Sequence, residues 1–317
     1  MGRGGGPTDA VPLGLAPAWG DTSVVSEPVV SVIVPVWNNA SGLATCLAAL
    51  RGQNYPPEKL DLIVVDNGSD TALQGAEAAA DILWIREPVP GSYRARNRGM
   101  EEARGMILAF TDSDCVPSPD WVSAGVRRIA TMANPGFLAG AVDVVPRDPA
   151  SPTLVERFEM VLAFPQESYV RRGHFGATAN LFTTIDVVRS VGPFREDLLS
   201  GGDAEWGHRV HATGRQLVYA GEVRVSHPAR STFRELMRKA RRVAGGTVQL
   251  MRGHIGHLAV EQAKEWLPPP ALVRLILTSR HGGSAFRRAQ ILALLMIVRQ
   301  IRFWERLRVL AGGSPVR

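Results

Sequence analysis

The run VVSVIVPV (29–36) is apolar and β-branched, and its length suits a strand buried on both faces. Behind it, in ASGLATCLAALRG (40–52), Leu43, Cys46, Leu47 and Leu50 recur at helical spacing. LDLIVVDNGSD (60–70) predicts a second strand that runs into turn residues. ILWIRE (82–87) predicts a third strand, and MILAFTDSD (106–114) a fourth that ends in acids. Between them, GSYRARNRGMEEARG (91–105) reads as a polar helix. The β-α-β-α-β alternation argues for an α/β fold with a mostly parallel sheet covered by helices. Ligands of such sheets bind at the carboxyl ends of the strands, which is where Asp66 and Asp112 fall.

Further along, Ser118-Pro119 predicts a helix start, with Ser as N-cap and Pro in the first position. GFLAGAVDVVP (136–146) predicts a strand and SPTLVERFEMVLAF (151–164) a helix. QLVYAGEVRVSHP (216–228) reads as strand material broken by a turn at its glycine. Past Pro228 the texture changes. Thr232 and Glu235 have capping-box spacing ahead of a helix carrying Arg234, Arg238, Lys239, Arg241 and Arg242. LPPP (267–270) interrupts, and 287–310 then mixes leucines, Phe303 and Trp304 with Arg299, Arg302 and Arg306, which share one helical face. The chain thus divides into a Gly/Pro-rich leader (1–28), a body (29–228) and a helical extension (229–317).

With 317 residues, 45% of them hydrophobic, the chain has material for a substantial core. Two cysteines, Cys46 and Cys115, support neither a disulfide framework nor a zinc cluster, and read as reduced thiols. The net charge of +6 conceals an asymmetry. Residues 1–228 hold 19 Lys/Arg against 26 Asp/Glu, whereas 229–317 hold 17 against 4. A basic extension on an acidic body points to a polyanionic partner: phospholipid headgroups, a diphosphate or nucleic acid. The leader has no apolar stretch of signal-peptide length and reads as disordered. AQILALLMIV (289–298) is well short of the roughly 18–20 residues that span a bilayer. An apolar face coinciding with basic excess suggests instead a helix lying in the membrane interface, arginines at the headgroups. A helical subdomain packed on the body, with exposed arginines, is the alternative.

The chemistry centres on Asp112-Ser113-Asp114. Two carboxylates one residue apart at a strand end can share Mg²⁺ or Mn²⁺, which leave positions open for phosphate oxygens. The same residues also suit a solvated turn. Asp66, followed by Asn67-Gly68-Ser69-Asp70, can accept from a base or ribose. Arg94, Arg96 and Arg98 on the polar helix combine a phosphate or base donor with a solvated face. In Gly201-Gly202-Asp203-Ala204-Glu205-Trp206 the glycines allow close backbone approach. Asp203 or Glu205 is there a candidate general base, or simply a helix cap and a first-turn acid.

The succession VSVIVPVWNN, IVVDNGSD, GSYRARNRG, ILAFTDSD and GGDAEWGHR, in that order over roughly 29–228, resembles glycosyltransferase family 2. The resemblance implies a GT-A fold, a nucleotide-sugar donor, a divalent metal and inversion at the anomeric carbon. It would put Pro35 and Val36 against the nucleoside, Asp66 on the base, and Arg96 with Asn97 in the nucleotide pocket. Asp112 would lie by sugar and ribose, Asp114 by metal and diphosphate, and His227 near metal and phosphates. The family often has Glu-Asp where this chain has Gly202-Asp203, so Asp203 inherits the base role with Glu205 as fallback. Arg209 matches a frequent helix arginine. His174 and Asn180, in the weakly patterned 147–180, and Arg238 and Arg242 in the extension are candidates for acceptor or diphosphate. The expected acceptor is a lipid-linked saccharide in surface polysaccharide or glycolipid synthesis. That places the enzyme in the cytoplasm, peripheral on the inner membrane face, with no nucleic-acid partner. Two other functions compete: a sugar nucleotidyltransferase and a non-catalytic nucleotide-sugar binder. The first lacks its Gly-rich phosphate loop here, since VPVWNNASG follows the first strand.

Overall fold

The computed structural model describes residues 27–70, 73, 80–251, 262 and 264–316. The leader expected over 1–28 lies almost wholly outside them. The first four expected strands form as β1 (Val30–Val36), β2 (Leu60–Asp66), β3 (Ile82–Arg86) and β4 (Ile107–Thr111). β1 pairs in parallel with β2 and β4, and β2 with β3. Registers of Val36 with Asp66 and Ile33 with Phe110 bring the carboxyl ends to one edge.

The alternation of strand side chains splits the core into two layers. Val30, Val32, Val34 and Val36 face α1 (Ala40–Arg51) and α3 (Trp121–Ala130), packing with Leu43, Leu47, Leu50 and Trp121. Ile33 faces the other way, with Tyr93 and Met100 of α2 (Ser92–Glu102) and Trp206 of α7 (Gly202–Ala212). Cys46 sits in the first layer as its spacing requires. Burial, aided by Asp114 and Asp112, pushes its thiol up to about 12.

Beyond β4 the sheet turns mixed. β7 (Asn180–Thr184) is antiparallel to β4 and to β6 (Pro135–Val145), while β6 is parallel to β8 (Gln216–Pro228). Two sequence expectations are corrected here. The glycine in 216–228 does not break the strand: partners jump from Gly140↔Ala220 to Ala141↔Arg224, so Gly221, Glu222 and Val223 form a bulge in one continuous β8. And α3 begins at Trp121, after an Asp120 cap, not at Ser118-Pro119. Ser118 and Pro119 form the turn before it, with their carbonyls accepting from Trp121 and Asn54. The short β5 (Val116–Pro117) closes the edge by pairing antiparallel with Ser226 and Val225 of β8.

The extension does not stand apart. A third core cluster joins Val155, Phe158 and Val161 of α4 (Leu154–Leu162) to Leu236, Met237 and Ala240 of α8 (Phe233–Leu250). Ile276 of α9 (Pro270–Thr278) and Ile291, Leu294, Leu295 and Val298 of α10 (Ala285–Leu310) complete it. The expected capping box Thr232/Glu235 is formed, and the structure adds a second, Thr153/Glu156, ahead of α4. The arginine face of α10 corrects the interfacial reading in one respect. Arg299 and Arg306 are buried and, with Arg302, converge on Glu265, so they do not reach headgroups. A guanidinium so far inside has to be paired, and Glu265 is its counter-charge.

Candidate active site

The edge where the parallel strands end opens into a cavity of about 640 Å³. Pro35 and Val36 form one wall, Asp112-Ser113-Asp114 the floor, and Asp203 at the start of α7 the far side. Tyr93 and Arg96, three residues apart on α2, face into it together. Residues 177–179 with Phe164 and His227 close a third side.

Asp112, Asp114 and the buried Cys115 place their ligand atoms within 4.8 Å of one another. Burial raises the Cys115 thiol well above its ordinary value, so it stays protonated and leaves a hard cation to the two carboxylates. Arg96, 4% exposed, compensates Asp112 through a 2.5 Å contact from Nη2 to Oδ1. Asp114 is pushed upward by burial; His227 opposes the shift and Asp112 adds to it. His227 Nδ1 lies 2.8 Å from the Pro228 carbonyl, which can only accept, so Nδ1 carries the proton. Its Nε2 then faces Asp114 Oδ2, 3.5 Å away. An imidazole nitrogen and a carboxylate oxygen at that separation suit neighbouring positions on an octahedral Mg²⁺ or Mn²⁺, whose adjacent ligands stand about 3 Å apart. The residues therefore fit a divalent metal.

Asp203 is held differently. Gly201 takes φ 84°, which a glycine adopts without strain, and Gly202 packs so close that a Cβ would come within 2.7 Å of the Tyr93 ring. That approach lets the Tyr93 hydroxyl donate to Asp203 Oδ1 at 3.2 Å, while the Ala204 amide donates to the same oxygen at 3.0 Å. Burial raises the Asp203 carboxyl above its ordinary value against the pull of Arg96, Ala204 and Tyr93. Glu205 points elsewhere. It pairs with Arg209 at 2.9 Å, and Arg209 in turn donates to the Val191 and Pro193 carbonyls.

Other expected residues are distributed between site and scaffold. Asp66 lies at the strand edge, accepting from the Ser69 amide at 2.9 Å with Arg86 3.5 Å away. Its neighbour Asn67 reaches the cavity and ties Gly91 ahead of α2. Asn97 binds both the amide and the carbonyl of Phe194 and does not line the cavity. Arg94 and Arg98 pair with Glu196 and with Glu101 and Glu102, leaving Arg96 as the α2 arginine turned inward. Asn180 is fully buried, joining Trp121 to the Ala141 and Val223 carbonyls. His174 stacks on His211 at 3.9 Å, in a separate depression. Arg242 lines the cavity, and Arg238 an adjoining one of about 310 Å³. Sequence reasoning does not single out Trp37, Tyr93, Phe164, Arg230 or Lys239, which line the main cavity. Tyr93 carries a signal, its i, i+3 spacing to Arg96. Lys239 is one cation among five on its helix and carries none.

The elevated Asp203 gives a signed expectation. Its folded-state value exceeds the ordinary 3.8, so the folded protein binds this proton more tightly than the unfolded one. Stability from this group is full below 3.8 and is lost as pH rises through the folded value. Asn at 203 keeps an oxygen for Tyr93 and Ala204 but carries no charge. Asp203→Asn should therefore raise the thermal midpoint at pH 7–8, with the gap over wild type closing as pH falls toward 4; thermal melts across this range check it.

A family profile described as Glycosyl transferase family 2 matches residues 31–186. Glycosyltransferase AglE of Haloferax volcanii is 38% identical over 229 residues, covering 70% of this chain and 74% of that protein. Pre-mycofactocin glycosyltransferase of Mycobacterium tuberculosis is 31% identical over 225 residues, 67% of this chain but 45% of the relative. Among solved structures, the mannosyltransferase PcManGT from Pyrobaculum calidifontis superposes with a TM-score of 0.63 at 19% identity, covering 92% of this chain and 89% of that one. S. aureus TarS 1–349 does so at 0.50 and 16% identity, covering 90% and 92%. Parallel strands that deliver paired aspartates to one edge, and relatives that share this sequence over two thirds of the chain, lead to one conclusion: the protein belongs to glycosyl transferase family 2 and is a glycosyltransferase with a GT-A fold.

Proposed function

We propose that the enzyme is metal-dependent and inverting, moving a sugar from a nucleoside diphosphate to an acceptor hydroxyl in a single displacement. One observation carries this reading: the main cavity is lined by three carboxylates, and they fall into two separately built sets. Asp112 and Asp114 converge with His227 where Mg²⁺ or Mn²⁺ would sit. That metal, when bound, would neutralise charge on the departing diphosphate. PcManGT, a fold neighbour, is described in complex with GDP-Man and Mn²⁺, which agrees with such a site.

The chain's own residues supply the rest. Pro35, Val36 and Asn67 flank the nucleoside side, and Arg96 holds Asp112 in place. Asp203, raised by burial but short of a full neutralising partner, takes the acceptor proton as the oxygen attacks. Tyr93 fixes the carboxylate's orientation through the oxygen it donates to. Inversion is what the family implies, and a single displacement needs a base beside the acceptor, the place Asp203 takes in the cavity wall. Glu205 is committed to Arg209, which leaves the base role to Asp203. The nucleotidyltransferase alternative loses support because Asn38 and Asn39, after β1, bond to Asp70 and Ser113 in place of a phosphate loop.

For the acceptor we favour a lipid-linked saccharide reached at an anionic membrane face. No helix among the described residues is long and apolar enough to cross a membrane. Yet Phe286, Ile297 and Trp304, 70%, 45% and 62% exposed, fall on one stripe of α10, at spacings of eleven and seven residues. Exposed Arg287 on the same helix and Arg274 and Arg280 nearby give that stripe a cationic border.

Two outcomes follow. Asp203→Asn should retain metal-dependent donor binding while turnover falls by at least about 100-fold; Asp114→Ala should lose the metal-dependent part of donor binding itself. Calorimetry with a nucleotide sugar, alongside initial rates, separates the two, and full turnover by Asp203→Asn removes it as base. In vesicle sedimentation at low salt, the protein should follow anionic but not neutral bilayers, and Phe286→Ser with Trp304→Ser should release it. A wild-type protein that stays in the supernatant contradicts membrane docking.

A further inference from the structure

Arginines from the body and from the extension meet at the start of α10, away from the donor cavity. The turn between α9 and α10 holds a 3₁₀ segment, Arg280–Gly282, which packs on α4. Gly283 follows at φ 72°, and a Cβ there would stand 3.7 Å from Arg157 Nη1 and 3.4 Å from Arg287 Cβ. A Cβ at Gly282 would come within 3.0 Å of Arg288 Nε. The two glycines thus let the backbone pass close to the guanidinium of Arg157, which comes from α4, and beside Arg287 and Arg288. Arg280 Nε donates to His281 Nε2 at 3.0 Å. Burial first, then Arg280 and Arg157, hold the His281 imidazole below its ordinary value, against the pull of Asp143. Four arginines therefore surround one turn, and none of them lines the donor cavity.

None of the four pairs with a carboxylate among the described residues. Asp143, the acid nearest His281 in effect, is held through both oxygens by Arg224, at 2.7 and 2.9 Å. Glu156, next to Arg157, accepts from the Thr153 and Arg147 amides. The Nε atoms of Arg157 and Arg288 are shut off from solvent and have no hydrogen-bond partner. Guanidiniums partly withdrawn from water without a counter-charge are costly, and an arriving anion would relieve them. Helix polarity acts in the same sense. Ser284 caps α10 by accepting from the Arg287 amide at 3.3 Å, which leaves the Ala285 and Phe286 amides without an intrahelical acceptor. No acid stands in this first turn; Arg287 and Arg288 instead add positive charge where the helix already presents its positive end.

We propose that Arg157, Arg280, Arg287 and Arg288 bind the phosphomonoester headgroup of a membrane lipid. The inference rests on the membrane-docking reading above and names what the bilayer must carry. A phosphomonoester offers three terminal oxygens and more than one negative charge to several guanidinium forks, which a monoanionic phosphodiester does not. The lipid source follows from the border of the site. Exposed Phe286 immediately precedes Arg287 and begins the apolar stripe of α10, and exposed Leu275 and Leu277 lie on α9 just before the turn. A headgroup held by the arginines leaves Phe286 at the depth of the acyl chains. Because Arg157 belongs to α4, the same lipid orients the catalytic body, and not only the extension, against the bilayer.

The test is sedimentation of the full chain with phosphatidylcholine vesicles doped with phosphatidate or with phosphatidylglycerol, at compositions of equal surface charge. Wild type should bind the phosphatidate vesicles about tenfold more tightly, the worth of one further charge-assisted contact. Arg157→Gln and Arg287→Gln should each cut that preference to about threefold or less. Arg287 is exposed, so its variant reports on binding even if Arg157→Gln folds poorly. Arg128→Gln removes an equal charge from an exposed position on α3 and should keep the preference. Equal binding of both vesicles by wild type, or a preference that Arg157→Gln and Arg287→Gln leave unmoved, overturns the headgroup site while membrane docking stands. Capture of inorganic phosphate through these arginines, with no preference for phosphatidate, assigns the cluster to a soluble phosphate and also overturns it. A wild-type protein that stays in the supernatant with both vesicles sinks the docking reading, and the lipid site with it.

Discussion

Asp112 and Asp114 stand one residue apart at the end of a buried strand, with ligand atoms inside 4.8 Å, and their mutual repulsion sets the terms for everything around them. Like charges so placed need compensation from groups that the strand itself cannot supply. Arg96 comes from α2, and His227 from the end of β8, which the pairing of β5 with β8 brings beside Asp114. The sheet delivers both partners. Parallel pairing of β1 with β2 and β4 gathers the strand ends, and β8 pairs with β6 on one side and β5 on the other. The same α2 that neutralises Asp112 through Arg96 presents Tyr93 to Asp203, one turn away. Metal floor and candidate base are thus indexed to each other by a single helix, whose start is tied down by Asn67.

The acidic body and basic extension make sense in these terms. Helices α8 and α10 share a core with α4, so the extension is packed onto the body and its charges are sorted by position. Arg299, Arg302 and Arg306 pair with Glu265, Arg230 and Lys239 pair with Glu159, and a remaining set faces solvent. A net charge does not reveal this division. It follows from which arginines have a buried carboxylate within reach.

Much of the first half is legible in the sequence because its signals are local. Strand runs, the helical spacing of Leu43, Cys46, Leu47 and Leu50, and acids at strand ends all report on near neighbours. The capping box of α8, Thr232 with Glu235, is readable for the same reason. Pairings across long separations are not displayed in this way. Glu159 and Lys239 are 80 residues apart, Arg306 and Glu265 are 41 apart, and no spacing rule anticipates either. The β8 bulge reads as a turn from sequence because Gly221 suits both, and only the partner strand decides. Asn97 and Asn180 look like ligand groups because buried amides and binding amides are the same residue type; their partners are the backbone of Phe194, Ala141 and Val223.

In the proposed mechanism Asp203 activates the acceptor for one direct displacement while Asp112 and Asp114 serve the leaving diphosphate. The anomeric configuration of the product tests this division of labour most directly, read by proton NMR during the first turnovers with a nucleotide sugar that supports transfer. A single displacement predicts the configuration opposite to that of the donor. A product that keeps the donor's configuration would contradict it.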